Sequence, residues 1–252
     1  MLGAYNNYRE KIASAKLLGD HILKVTEVSY CPIKGLELET PHNRNPKNSV
    51  NDFKLENNRS RALSTIRELA LCNPWEYFCT LTISPEHYDR YNLKEYQKNL
   101  SEFIHSYNRN CNECEKVKYL LIPEMHKDGA WHMHGFLSGI KKKDLYINDN
   151  GYLGWTSYEK RFGFISFSKI RDIDRAANYI TKYISKDAAK NVTALGAHLY
   201  YASKNLNRAS TLYKGRINLH CDWDYVHPDG YCKIKIFDMR KDDYDSYIEV
   251  TD

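Results

Sequence analysis

The sequence predicts an α+β fold, a central antiparallel β-sheet with helices packed on it. Strand-like segments rich in aromatic and β-branched residues stand at EYFCTLTIS (76–84), VKYLLIPEM (117–125), WHMHGFL (131–137) and FISFSKI (164–170). Helical segments are interleaved with them in the order strand, helix, strand, strand, then strand and helix. The turn residues HKDG (126–129) join two of the strands into a hairpin.

Each element has a local reason. Residues 1–56 form an N-terminal extension of unclear structure, with one strand-like stretch at HILKVTEVSY (21–30) and a linker-like run from Pro41 to Asn58. In RSRALSTIRELAL (59–71), Leu63, Ile66, Leu69 and Ala70 recur at helical spacing, with Asn58 as cap and Asn73-Pro74 as stop. LKEYQKNLSEFIHSY (93–107) is amphipathic through Tyr96, Leu100, Phe103, Ile104 and Tyr107. Residues 141–154 make a charged excursion, and 156–163 a short helix. The stretch 174–190 reads as one helix on a stripe of Ile173, Ala177, Ile180 and Ile184. LYYAS (199–203) and a hairpin turning at HPDG (225–237) add strands. The main domain therefore spans 57–237, and 238–252 is an acidic C-terminal tail.

Composition narrows the function. With 252 residues and 42% hydrophobic content the chain can bury a core without staples. No apolar run approaches the roughly 20 residues of a membrane span, and Met1–Glu10 is too polar for a signal peptide. Seven scattered cysteines predict a reducing, cytoplasmic setting. Cys111 and Cys114 form a single CxxC, and no phosphate-loop motif is present. The net charge of +5 is unevenly spread, with twelve Lys/Arg against three Asp between Lys160 and Arg216. A basic block of this kind fits a polyanion, and 21 tyrosines offer faces for base stacking.

Three clusters carry chemistry. His132 and His134 are two apart on one strand and so point to the same face. Glu124 precedes the hairpin turn on the partner strand, giving two imidazoles and a carboxylate, a donor set for a divalent ion; His126 is a substitute. In YITKYISKD (179–187), Tyr179 and Tyr183 flank the core stripe four residues apart, with Lys182 and Lys186 beside them. A phenol is a weak nucleophile at its ordinary pKa of about 10, so an electrophile polarised by a metal and a cation beside the phenolate would both help. In FCTLT (78–82), Thr80 and Thr82 share a face and can contact phosphate or sugar oxygens. Each cluster also has a plainer reading, as solvated histidines, amphipathic core tyrosines and an exposed strand face.

Taken together and in this order, FCTLT, WHMHGFL and YITKYISKD resemble the motifs of the HUH endonucleases that initiate rolling-circle DNA replication. The YxxKYxxK form is similar to double-tyrosine initiators of small single-stranded DNA phages, and the layout resembles the filamentous-phage gene II protein group of phages and plasmids. The resemblance covers about 59–215. It implies a ferredoxin/RRM-like core with the histidine strand central, and Mg²⁺ or Mn²⁺ held by His132, His134 and Glu124. It further implies attack by Tyr179 or Tyr183 on a phosphate of single-stranded origin DNA, aided by Lys182 and Lys186. A 5′-phosphotyrosine link and a free 3′-OH would result. Thr80, Thr82, Lys169, Arg171 and Arg175 are expected to touch DNA, and a separate helicase and polymerase of the host or phage to be partners. The setting implied is a bacterial cell carrying a phage, plasmid or other mobile element. Two rivals stand beside this: an HUH relaxase or single-strand transposase, and a non-catalytic DNA-binding protein with zinc at Cys111, Cys114 and the histidines.

Overall fold

In the computed structural model, which describes residues 10–30, 52–228 and 230–251, antiparallel sheets and packed helices make up the chain, an α+β fold. In chain order the elements are β1 (Glu10–Leu18), β2 (Ile22–Tyr30), α1 (Asp52–Leu71), β3 (Tyr77–Leu81), α2 (Leu93–Asn108), β4 (Lys118–Met125), β5 (Trp131–Ser138), β6 (Leu145–Ile147), β7 (Leu153–Trp155), α3 (Thr156–Glu159), β8 (Ile165–Lys169), α4 (Ile173–Ile180), α5 (Lys186–Ala194), β9 (Tyr201–Ala202), β10 (Ser210–Leu219), β11 (Tyr225–Val226), β12 (Cys232–Asp238) and β13 (Ile248–Thr251). They divide into two units. Of the described residues, 52–207 fall in one, and 10–30 with those from 208 to 251 in the other.

The first unit is built on a five-stranded sheet in the order β8-β3-β5-β4-β9, with β5 in the centre. One face of this sheet is apolar. Cys79, Leu81, Met133 and Leu137 project from it onto Leu93, Tyr96, Leu100, Phe103 and Ile104 of α2, with Trp155, Tyr158 and Phe162 filling the same core. Asn92 caps α2 by accepting from the Glu95 amide at 3.1 Å. Inside this core the Tyr96 and Tyr158 hydroxyls pair at 2.7 Å, and Tyr158 donates to the Thr82 carbonyl at 2.9 Å, so neither of these buried phenols lacks a partner. The β4–β5 hairpin turns at 126–129, as its sequence predicts, with Gly129 at positive φ. At Gly135, β5 passes so close to β4 that an added Cβ would lie 1.9 Å from the Leu120 carbonyl oxygen.

Two helical expectations need correction. α1 starts at Asp52, so Asn58 lies inside the helix and does not cap it. The 174–190 stretch is not one helix. α4 ends at Ile180, a 3₁₀ turn covers Thr181–Tyr183, and α5 begins at Lys186. The cause is local competition for backbone groups. Thr181 Oγ1 donates to the Asn178 carbonyl at 2.7 Å, and Ser185, extended at φ −67° and ψ 167°, accepts from the Ala188 amide as a fresh N-cap. Ala177, Ile180 and Ile184 are buried on either side of the break, so the core stripe runs through it.

The second unit is a six-stranded antiparallel sheet in the order β11-β12-β2-β1-β10-β13. Residues 10–30 of the expected extension are its β1–β2 hairpin, and the expected tail supplies β13, which pairs with β10. Ala13, Ala15, Leu23, Val25, Ile217 and Phe237 form its small core. Among the described residues no helix is long and apolar enough to cross a membrane.

Candidate active site

The second face of the five-stranded sheet holds the site. Cross-strand register sets Thr80 opposite His134 and Ser166, and Glu124 opposite His132. Deeper along the same face, Phe78 pairs with Phe136 and with Ser168. The face thus grades from an apolar floor into a polar end at the β4–β5 turn.

His134 is the centre of the cluster and is buried. Its Nδ1 lies 3.0 Å from Thr80 Oγ1, and its Nε2 lies 2.8 Å from Glu124 Oε2. Burial first, and then the neighbouring His132, push its pKa down to about 4. His132 is likewise lowered, chiefly by burial, and Glu124 is raised by burial. Burial thus favours the neutral form of both imidazoles, the form that carries a lone pair for a ligand.

Tyr183 lies flat on His134, with ring centroids 4.1 Å apart and planes at 10°. Its hydroxyl donates to the Tyr179 hydroxyl at 3.1 Å. Phe78 packs against both phenols, at 5.4 Å from Tyr179 and 6.2 Å from Tyr183. Burial, the hydrogen bond to Tyr179 and the nearby Glu124 raise the Tyr183 pKa well above the ordinary phenol value, so it stays a donor. Tyr179 is 46% exposed, and Lys182 Nζ sits 5.1 Å from its ring centroid. The side chain of Lys186 lies outside the described ones.

The histidines and glutamate fit a divalent cation in part. Two donors at right angles on one ion, each about 2.1 Å from it, stand roughly 3 Å apart. His134 Nε2 and Glu124 Oε2 have close to that spacing. His132 instead stacks on His126, with centroids at 5.3 Å. Among the described residues no group of three or more His, Cys, Asp or Glu side chains converges to hold an ion. His126 turns toward Asp128 at 3.2 Å.

A cleft of about 580 Å³ opens beside the tyrosines, between β8 and α4. Phe78, Thr80, Tyr179 and Tyr183 line it, as do Ser166 and Ser168. Lys169, Arg171 and Arg175 contribute the cations. Arg175 is also paired with Asp172, the cap of α4, at 3.2 Å. Of the residues expected to touch DNA, Thr82 falls outside this group: its hydroxyl donates to the Phe164 carbonyl at 2.6 Å.

Phe78, Ser166 and Ser168 escaped the sequence reading. The alternation of FISFSKI already put both serines on one face, but nothing in the chain told which strand lay beside it. Cys111, by contrast, belongs elsewhere. It precedes Lys118 at the start of β4, whereas Glu124 and His132 lie roughly 20 Å of strand away and His134, opposite Ile122, roughly 13 Å. Its thiol donates to the Tyr107 carbonyl. The side chain of Cys114 lies outside the described ones, and Cys111 does not reach the histidines.

Residues 76–188 match the family model for replication-associated proteins of the ORF2 and gene II protein type. No curated protein and no solved structure matches the chain. The matched segment is less than half of the chain, yet it runs from β3 to the start of α5 and includes both histidines, Glu124 and both tyrosines. It supports reading the protein as replication-associated, in the class of replication initiators.

Proposed function

We propose that the chain is an HUH nickase and strand transferase that initiates rolling-circle replication of a phage, plasmid or other mobile element in the bacterial cytoplasm. The observation that carries this reading is the pairing of two phenol hydroxyls at 3.1 Å beside His134, which itself lies 2.8 Å from the Glu124 carboxylate.

Single-stranded origin DNA would enter the cleft, with phosphates against Lys169, Arg171 and Arg175 and a base against Phe78. Tyr179 is the accessible nucleophile. Its Oη attacks phosphorus, the Oη–P bond forms, and the P–O3′ bond breaks. The phenol proton leaves and the 3′ oxygen takes one up, giving a 5′-phosphotyrosine and a free 3′-OH. Charge developing on Oη is met by the Tyr183 hydroxyl and by Lys182. Tyr183 is the second phenol, available for the closing transfer; attack of a 3′-OH on the phosphotyrosine regenerates the phenol and joins the ends. His134, His132 and Glu124 would hold Mg²⁺ or Mn²⁺, which when bound polarises a non-bridging phosphate oxygen. A helicase and a polymerase would be separate partners.

The test is incubation with Mn²⁺ and single-stranded oligonucleotides from a random-sequence library, followed by denaturing electrophoresis. Wild type should form a covalent adduct and the Tyr179→Phe/Tyr183→Phe variant none. A wild type without adduct, or a double variant that retains it, refutes the reading.

A further inference from the structure

The break between α4 and α5 is held from outside the matched segment. Arg59 lies on α1, and its Nε donates to the Ile184 carbonyl at 2.9 Å. Its Nη1 donates to Glu56 Oε1, also at 2.9 Å, one turn back on the same helix. Two nitrogens of the planar guanidinium are engaged at once, which fixes it in direction as well as in place. Only 23% of the Arg59 side chain is exposed.

The position of this bond matters. Carbonyls at the end of a helix lose their i+4 donors. Ile184 sits in that gap at φ −104° and ψ 63°, a conformation no regular helix maintains. Its side chain is buried and its carbonyl is tied to α1, so the residue is gripped from two directions. Tyr183 is the next residue back, and its ring is the one stacked on His134.

We infer that Arg59 is a positioning residue for the tyrosine turn: its bond to Ile184 seats Tyr183 over His134 and thereby sets the meeting of the two phenols. This rests on the reading of Tyr179 and Tyr183 as nucleophiles. The hydrogen bonds of Arg59 run to the Ile184 carbonyl and to Glu56, so it acts through the backbone of residue 184. A simple structural role would lower stability alone. A positioning role changes which phenol reacts, and how fast.

The experiment has two arms. In the first, amide hydrogen exchange is followed in the intact protein. Arg59→Ala should speed exchange across residues 181–188 by about tenfold or more while peptides of β3, β4 and β5 keep their protection. In the second, adduct formation on an oligonucleotide captured by wild type is measured at saturation, and the modified peptide is mapped. Arg59→Ala should slow the saturated rate by about 10–100-fold, because small misplacements at a reacting centre are costly. Half-saturation should stay within about twofold, and the share of adduct on Tyr183 should fall relative to Tyr179. Arg59→Lys can bond Ile184 or Glu56 but not both, and should recover part of the rate. Should Arg59→Ala fail to fold, Glu56→Gln loosens the same guanidinium and should give the same pattern at smaller size. Unchanged exchange at 181–188 together with an unchanged tyrosine ratio overturns the inference. A wild type that forms no adduct refutes the nuclease reading instead, and the exchange arm alone then decides whether Arg59 anchors the turn.

Discussion

Each unit carries a histidine beside a glutamate, and the two pairs differ. His134 and Glu124 meet at 2.8 Å with the imidazole 11% exposed; His220 and Glu249 stand 3.5 Å apart with both side chains 58% exposed. In the five-stranded sheet every residue of β5 except His132 is buried. The six-stranded sheet has one small core, and Lys16, Lys214 and Arg216 of β1 and β10 are exposed. Water screens the second pair, while desolvation favours the neutral form of His134. The same two residue types thus meet different surroundings, the His134 imidazole largely removed from water and that of His220 open to it.

The largest test of this contrast is removal of both site imidazoles. His132→Ala/His134→Ala should cut adduct formation by at least about a thousandfold, or about 4 kcal/mol of barrier, and abolish Mn²⁺ binding by calorimetry. His220→Ala should stay within about twofold on both measures. Equal losses for the two would erase the distinction between the pairs.

A smaller effect separates the sheets as structures. Phe237→Ala empties part of the six-stranded core and should cost about 3–4 kcal/mol in denaturant unfolding. Adduct yield per folded molecule should hold within about twofold. Gly135→Ala should cost about 3 kcal/mol as well, since its new Cβ meets the Leu120 carbonyl, but here activity should fall with stability. If Phe237→Ala abolishes adduct formation while still folded, that distinction fails.

The smallest effect is a pH dependence in metal-free protein. The folded pKa of His134 is about 4 against an ordinary 6.5, so between those values the unfolded chain binds a proton that the folded one refuses. Stability from this residue is complete above pH 6.5 and declines as pH falls toward 4, by about 1–3 kcal/mol. Urea titrations in chelator at about pH 7 and about pH 4.5 should show a smaller drop for His134→Gln than for wild type. Identical drops would mean that the imidazole is not desolvated.

The residues of the candidate site were easier to read in the sequence than the architecture around them. Elements with a strong local period, such as α2, the β4–β5 hairpin and β8, stand where the pattern puts them, and the order of the three motifs brings Thr80, His134, Glu124 and both tyrosines to one sheet face. The helix break was hidden because Ile180 and Ile184 keep their four-residue spacing across it; only Ser185, an N-cap residue, marked the restart. β10 was missed because Gly215 interrupts the alternation of Tyr213, Ile217 and Leu219. Its pairing with β1, far earlier in the chain, leaves no local trace. Arg59 belongs to the same class. Its partner is a backbone carbonyl 125 residues away, and no side-chain pattern encodes that.

The close approach at Gly135 has a consequence for how the chain finds its fold. A strand that slips by one residue against its neighbour turns every side chain to the opposite face. In β5 such a slip would bury both imidazoles in the apolar core and present Met133 to the cleft. Of the eight residues in β5, Gly135 alone lacks a Cβ, and the Leu120 carbonyl leaves no space for one. Any misregistered pairing that brings His134 or Phe136 to that point collides with the β4 backbone. The glycine between the second histidine and the phenylalanine acts as a steric key, admitting one alignment of the hairpin and rejecting its neighbours during assembly.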